Sequence, residues 1–413
     1  MNAFNLKNGI LHAENVALST IADTYNTPCY VYSKSALISA FSRFQAELVG
    51  SDHLICFAVK ANPNLAVLNL FAKLGAGFDI VSGGELARVL AAGGDPQKIV
   101  FSGVGKNREE MAAALNAGIL CFNIESANEL MRLNQVASEL GKVAPISLRV
   151  NPNVDAKTHP YISTGLKNNK FGVAFEDAVA LYEHAATMPN IAIHGVDCHI
   201  GSQITELSPF LDALDKVLGL VDILETKGIH IAHIDVGGGI GITYDDETPP
   251  EFDVYAKAIL EKLKGRHVKV LFEPGRALVG NAGVLLTKVE YLKMGESKNF
   301  AIVDAAMNDL MRPALYDAYH DIVPVEPRTG KAENYEIVGP VCESGDFLGH
   351  DRVMHLQEGD VLAIKSAGAY GMSMASNYNT RPRAAEVMVD DAQCFEIRKR
   401  ESISDLFSLE KTL

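Results

Sequence analysis

The chain has 413 residues, 48% of them hydrophobic and 21% charged, with a formal net charge of −14. That length allows two domains with sizeable cores, and the acidic balance argues against nucleic acid or an anionic membrane surface as partner. Six scattered cysteines without a C-x-x-C pair fit a reducing compartment and exclude a typical structural zinc site.

The N-terminus lacks a positive segment followed by an apolar one, and no apolar run approaches the ~20 residues that span a bilayer, so a cytoplasmic protein is expected. Residues 1–35 carry strand-like runs (NGILHAENVAL, TPCYVYS) expected to pack with the C-terminal part of the chain. From 36 to 280, short apolar runs alternate with amphipathic stretches. The runs are 54–60, 77–82, 98–104, 119–125, 145–151, 193–201, 231–239 and 268–276. The intervening GGELARVLAAGG, REEMAAALNAG and SPFLDALDKVLGLVDILETKG have i, i+3, i+4 apolar spacing and often finish on Gly. Eight such units predict an α/β fold, a (β/α)8 TIM barrel over 36–280. A doubly wound open sheet is the weaker reading, because G-x-G-x-x-G is absent after the first strand. From 281 to 413 the runs GVLLTKVEYL, FAIVDAA, NYEIVGPVC, GDVLAIKSAG and AAEVMV predict a C-terminal mainly-β domain.

In a barrel the loops after the strands converge on one mouth. The residues expected there are Lys60, Asp79, Ser82, Arg149, His199, Ser202, Gly237 to Gly239, Glu273 and Arg276. Loops seven and eight are the usual phosphate cradle of barrels, so Gly237–Gly238–Gly239 with Pro274–Gly275–Arg276 suggests an anion site over a plain glycine turn. Lys60, alone a snorkelling surface lysine, then becomes a candidate to form a Schiff base with a carbonyl group. His194 and His199 are five apart on one expected strand, hence on opposite faces, and His233 with Asp235 lacks a convincing third ligand. No metal is expected.

The motifs FAVKAN, CHIGSQ, DVGGGIG, EPGR and CESGDFL, in this order, resemble the fold-type III pyridoxal-phosphate decarboxylases of basic amino acids. TGLKNNKFG, MNDLMRPALYDAYH and AGAYGMSMASNYNTRPRAAEV are similar to the branch of that family acting on meso-diaminopimelate. The resemblance spans nearly the whole chain. It implies an alanine-racemase-like barrel plus a β-domain, pyridoxal 5'-phosphate on Lys60, and a homodimer whose active sites are shared. It implies that His199 stacks on the cofactor ring, with Asp79, Ser202, Gly238, Gly239, Glu273, Pro274, Gly275, Arg276 and Tyr370 around the cofactor. Cys342 of the partner subunit would donate a proton. Arg276, Arg312 and Tyr316 would hold the substrate's distal carboxylate, Glu343 its distal amine, and Tyr370 would also touch substrate. The expected reaction is decarboxylation of meso-2,6-diaminopimelate to L-lysine, the last step of lysine biosynthesis.

Elementary chemistry agrees with several of these roles. A cofactor ring that takes up the electrons left by CO2 needs a protonated nitrogen, which an anion such as Glu273 favours and a cation would oppose. A thiol is mostly protonated at neutral pH and can return a proton, although a cysteine like Cys342 is more often inert and buried. Arg312 alone would be read as a surface residue and Tyr316 as packing; a second carboxylate on the substrate gives the guanidinium a partner. Two competing readings are decarboxylation of ornithine or a carboxylated polyamine, and a non-catalytic homologue that regulates. The loop at 163–172, with Gly165 and a polar run, permits a mobile lid.

Overall fold

The computed structural model describes residues 3–155, 164–165 and 169–413, so the expected loop at 163–172 lies partly outside the described residues. The chain divides into two compact units. One comprises residues 41–242 and 248–277; the other comprises 1–40, 243–247 and 278–413.

The first unit is a closed parallel barrel. Its strands are β1 (His53–Ala58), β2 (Gly77–Ile80), β3 (Ile99–Phe101), β4 (Cys121–Ile124), β5 (Ala144–Asn151), β6 (Ile191–Asp197), β7 (His233–Asp235) and β8 (Lys269–Phe272). Each pairs in parallel with its neighbour, and β8 pairs with β1 through Val270–His53, Leu271–Leu54 and Phe272–Ile55. The strands are shorter than the apolar runs at their C-terminal ends. Lys60, Ser82, His199, Gly237 to Gly239 and Glu273 all lie past the last paired residue. Buried Val59 and Cys198 prolong the apolar runs past the strand ends, and some backbone bonds continue there, the Glu273 N–H donating to the Gly237 carbonyl at 2.8 Å.

Helices alternate with these strands for local reasons. Asn107 caps Arg108–Ala117 in a capping box with Glu110, and Gly118 ends that helix at φ 73°. Ser82, which follows the C-terminal end of β2, caps Gly83–Ala91 by accepting from the Glu85 N–H at 3.2 Å. The ring of helices is completed by Lys34–Glu47, which precedes β1 instead of following β8. Its Phe41 lies 5.9 Å from Phe71, and its Phe44 packs 4.8 Å from Phe252 and 5.2 Å from Phe272. Such aromatic pairs add about 0.5–1.5 kcal/mol each beyond burial, here across the β8–β1 seam.

Period-two geometry layers the barrel interior. Cys56, Val100, Cys121 and Leu271 form a buried apolar cluster. Two residues beyond three of them come Ser102, Asn123 and Glu273, on the same face and one step nearer the mouth. The interior therefore changes from apolar to polar over one layer.

The second unit is mainly β. Its sheet runs Phe347–Met354, Glu333–Val338, Asn299–Val303, Gly283–Lys293, Cys29–Ser33, Ala385–Asp390, Gln393–Arg398; Val361–Ile364 also pairs with the long central strand Gly283–Lys293, and Ile322–Pro324 pairs with Val361–Ile364. Cys29–Ser33 is an interior strand, antiparallel to Gly283–Leu286 and parallel to Ala385–Val389. Its apolar face joins Val284, Leu286, Ala363 and Val387 in one core. The unanticipated strands at 347–354 and 393–398 sit at sheet edges and carry polar, exposed positions, so hydrophobic patterning is weak there. Among the described residues no helix is long and apolar enough to cross a membrane.

Candidate active site

The barrel mouth gathers an amine, an imidazole, four carboxyl groups and two guanidinium groups. Lys60 follows β1 in a single turn, Val59–Ala61, and its Nζ lies 2.6 Å from Oδ2 of Asp79 on β2. Asp79 is fully buried, and its other oxygen has no hydrogen-bond partner among the described residues. The Lys60 side chain is 37% exposed, and its amine is paired with a buried carboxylate.

Beside it, one carboxylate oxygen from each of Asp197, Asp235 and Glu273 lies within 4.8 Å of the others, all three groups buried. Oδ1 of Asp235 accepts from the Gly237 N–H at 2.9 Å, and the Asn123 amide approaches Oε1 of Glu273 at 3.5 Å. Burial, followed by repulsion from Asp235, Asp79 and Asp197, pushes the Glu273 carboxyl well above its usual range. Asp235 is raised to about 7, chiefly by burial, while hydrogen bonds from Gly237 and Glu273 oppose the rise. Asp197 is likewise raised by burial and by Asp235. Arg149 faces this group from β5, 3.0 Å from Glu125 and 3.9 Å from Asp197. Burial and mutual repulsion thus favour the protonated form throughout the cluster.

A prediction follows from the sign of these shifts. A carboxyl whose folded pKa is raised costs stability once pH exceeds its unfolded value, and the full cost is reached above its folded value. The protein without cofactor should lose stability between about pH 4 and 7 through Asp235, by an amount on the order of 4 kcal/mol. Asp235→Asn should flatten that slope. Thermal unfolding of the cofactor-free protein across pH measures it, and an unchanged slope in the variant would exclude Asp235 as the source.

His199 lies two residues beyond the end of β6, and β6 is bulged between Ile193 and Gly195. Alternation along one uninterrupted strand therefore does not relate His194 to His199, contrary to the sequence expectation. The Gly238 N–H donates to His199 Nδ1 at 3.1 Å, which places the ring hydrogen of the neutral form on Nε2. Burial, then Arg149 and Lys60, holds the imidazole well below its ordinary pKa, so it presents a neutral face.

The glycine turn is dictated by close approach. A Cβ on Gly238 would sit 2.1 Å from the Glu273 carbonyl oxygen, and Gly239 has φ +115° with the Gly201 carbonyl 2.6 Å from where its Cβ would be. Pro274 bonds back to β1, its carbonyl accepting from the Ala58 N–H at 3.1 Å, and buried Gly275 leads into Arg276, whose Nη2 donates to Ser202 Oγ at 2.9 Å. Loops six, seven and eight are thereby locked together.

The remaining expected residues lie in the β unit. Arg312 and Tyr316 begin and end one helical turn, Arg312–Tyr316, on one face at i, i+4 spacing. Arg312 is buried, not a surface residue. Tyr370 adopts φ +56° in a segment so tight that a Cβ on Gly368 would lie 1.9 Å from the Val279 carbonyl oxygen. Cys342 is exposed while Cys29, Cys56, Cys121 and Cys198 are buried; burial pushes the Cys121 thiol up to about 12. The Cys342 N–H donates to Asn379 Oδ1 at 2.8 Å, and Tyr378 donates to Glu343 at 3.4 Å.

Sequence reasoning missed Asp197 as a member of the mouth and left Asp235 as half of a failed metal pair. Each ends a strand, but their juxtaposition with Glu273 depends on barrel closure, since the three residues are spread over 197, 235 and 273.

Residues 34–280 match the family model for the pyridoxal binding domain of pyridoxal-dependent decarboxylases. The barrel and its mouth thus place the protein in the class of barrel-type pyridoxal-dependent decarboxylases, with pyridoxal phosphate as cofactor. Two relatives named diaminopimelate decarboxylase cover this chain and their own length completely: those of Pseudomonas fluorescens, 61% identical, and Vibrio cholerae, 60% identical. A crystal structure of diaminopimelate decarboxylase from Helicobacter pylori complexed with L-lysine superposes with a TM-score of 0.92 at 44% identity, over 95% of this chain and 99% of that one. The chain belongs to the diaminopimelate decarboxylase family.

The residues present fit the cofactor. Its aldehyde requires an amine, supplied by Lys60; its phosphate requires a turn that tolerates close backbone approach, found at Gly238 and Gly239; its ring nitrogen requires an acid–base partner, and Glu273 lies buried in the same mouth.

Proposed function

We infer that the protein removes carbon dioxide from the D-configured centre of meso-diaminopimelate to give L-lysine. The observation carrying this reading is the full-length likeness, at 60% identity, to a relative named for that reaction. Carbon dioxide release measured in parallel with meso-diaminopimelate, ornithine and arginine tests it. Release from diaminopimelate alone is expected, and faster release from ornithine would refute the substrate assignment.

Bound pyridoxal phosphate supplies an electron sink for the carbon that loses its carboxylate. Around it we assign the following roles. Lys60 anchors the cofactor and exchanges with the substrate amine, and Asp79 orients that amine. Gly238, Gly239, Pro274, Gly275, Ser202 and Arg276 hold the phosphate end. Glu273 keeps a proton on the ring nitrogen, and neutral His199 covers the ring face. Tyr370 touches cofactor and substrate. Arg276, Arg312 and Tyr316 hold the distal carboxylate, and Glu343 the distal amine. Cys342 returns the proton; its exposure, alongside four buried cysteines, supports a task outside the core of its own unit.

We propose a cytoplasmic homodimer in which each protomer lends Cys342 and Glu343 to its partner; the exposure of Cys342 is compatible with that arrangement. Cys342→Ala should lower kcat about 10²-fold with cofactor still bound, the usual scale for losing a proton donor. Mixing it with an inactive Lys60 variant should recover activity through hybrid dimers with one intact site. Absence of recovery would show that each site is built from a single chain.

A further inference from the structure

We infer that His320 and Tyr244 are positioning residues for Arg312, and through it set the preference for a substrate bearing a second carboxylate. The inference rests on Arg312 being the clamp for that carboxylate.

All three side chains belong to the β unit and all are buried. Nη1 of Arg312 lies 2.7 Å from Nε2 of His320, and Nδ1 of His320 lies 2.8 Å from the Lys365 carbonyl oxygen. A guanidinium has no lone pair to offer and a carbonyl has no hydrogen, so the two partners leave one solution. Nε2 accepts from Arg312 and Nδ1 donates to Lys365. The imidazole is thereby a neutral acceptor of fixed orientation. Its backbone is held as well: the His320 carbonyl accepts from Arg352 Nη2 at 2.9 Å.

The second restraint is aromatic. The Arg312 guanidinium carbon lies 4.5 Å from the Tyr244 ring centroid, and the Tyr244 and His320 rings meet edge to face at 5.2 Å and 77°. One contact fixes the guanidinium in its plane and the other fixes that plane. Neither partner is an anion, so neither cancels the charge that would meet a carboxylate. Bidentate recognition depends on the direction of the fork as well as on its charge. Loss of either restraint should therefore weaken carboxylate binding without touching the chemical step.

The test uses holoenzyme and two inhibitors. The product L-lysine keeps the distal carboxylate; 1,5-diaminopentane lacks it. In His320→Leu, KM for meso-diaminopimelate and the inhibition constant of L-lysine should both rise about tenfold, the scale of one weakened charged hydrogen bond. The kcat and the 1,5-diaminopentane constant should hold within about twofold. His320→Gln, which restores an acceptor, should recover most of the L-lysine affinity. If His320→Leu does not fold, Tyr244→Leu against Tyr244→Phe makes the same comparison, with the phenylalanine retaining affinity. Equal weakening of both inhibitors, or a loss confined to kcat, overturns the positioning role. An Arg312→Leu control separates the failures. If it leaves L-lysine inhibition unchanged, the clamp reading itself falls; if it weakens L-lysine while His320→Leu does not, only the positioning role falls.

Discussion

Lys60→Ala should reduce turnover by at least about 10³-fold, because one amine serves both as covalent anchor and in proton transfer, and proton transfer alone is worth about 10²–10⁴-fold. The effect should reach beyond kcat. Pyridoxal phosphate added to the variant should dissociate on gel filtration, and borohydride reduction should leave no labelled peptide containing residue 60. The Lys60 amine lies 2.6 Å from a fully buried Asp79 whose second oxygen has no hydrogen-bond partner among the described residues, so its removal takes away the ion-pair partner of that carboxylate. The variant should therefore also be less stable at neutral pH than the wild type. Asp79→Asn in the Lys60→Ala background should restore part of that stability while activity stays absent. Wild-type turnover in Lys60→Ala, or covalent label elsewhere in the chain, would sink the assignment.

Glu273→Gln should lower kcat about 10²-fold or more and weaken pyridoxal phosphate binding about tenfold, the size expected when one preorganised charge in a dry site is lost. The substitution preserves shape and the approach of Asn123. Only the ability to exchange a proton with the ring nitrogen disappears. Glu273 is raised well above the usual carboxyl range before cofactor enters, mainly by burial and then by Asp235, Asp79 and Asp197. That direction favours the protonated carboxyl, which has a proton to share with the ring nitrogen. Cofactor titrations from pH 6 to 9 should show the wild-type affinity falling as pH rises, as that proton is lost, and the Gln variant should lack this dependence. Identical pH profiles would assign the proton to another member of the cluster.

Much of the barrel was legible because its signals are local. Apolar runs separated by amphipathic stretches state the number of strands, and eight were found where eight strands close. Capping residues such as Asn107 and Gly118 mark helix ends within one turn of the chain. Strand ends were less legible. The runs ending at Lys60 and Gly239 include buried Val59 and Gly237 beyond the last strand residue, so burial alone does not mark where a strand stops. The edge strand Phe347–Met354 was missed for the opposite reason: the consecutive polar residues His350, Asp351 and Arg352 interrupt any apolar pattern.

Sequence alone determined the fold class, the cofactor and the family, because each depends on motifs a few residues long whose chemistry is carried by residue type. Tertiary structure decided which groups act on one another. Asp197, Asp235 and Glu273 stand on three strands, and only ring closure brings their oxygens within 4.8 Å and drives their protonation toward neutrality. Arg312 in isolation suggested a solvated cation; burial against His320 and Tyr244 made it an oriented one. Proximity across a fold is set by packing of distant segments, and neither composition nor spacing along the chain encodes it directly.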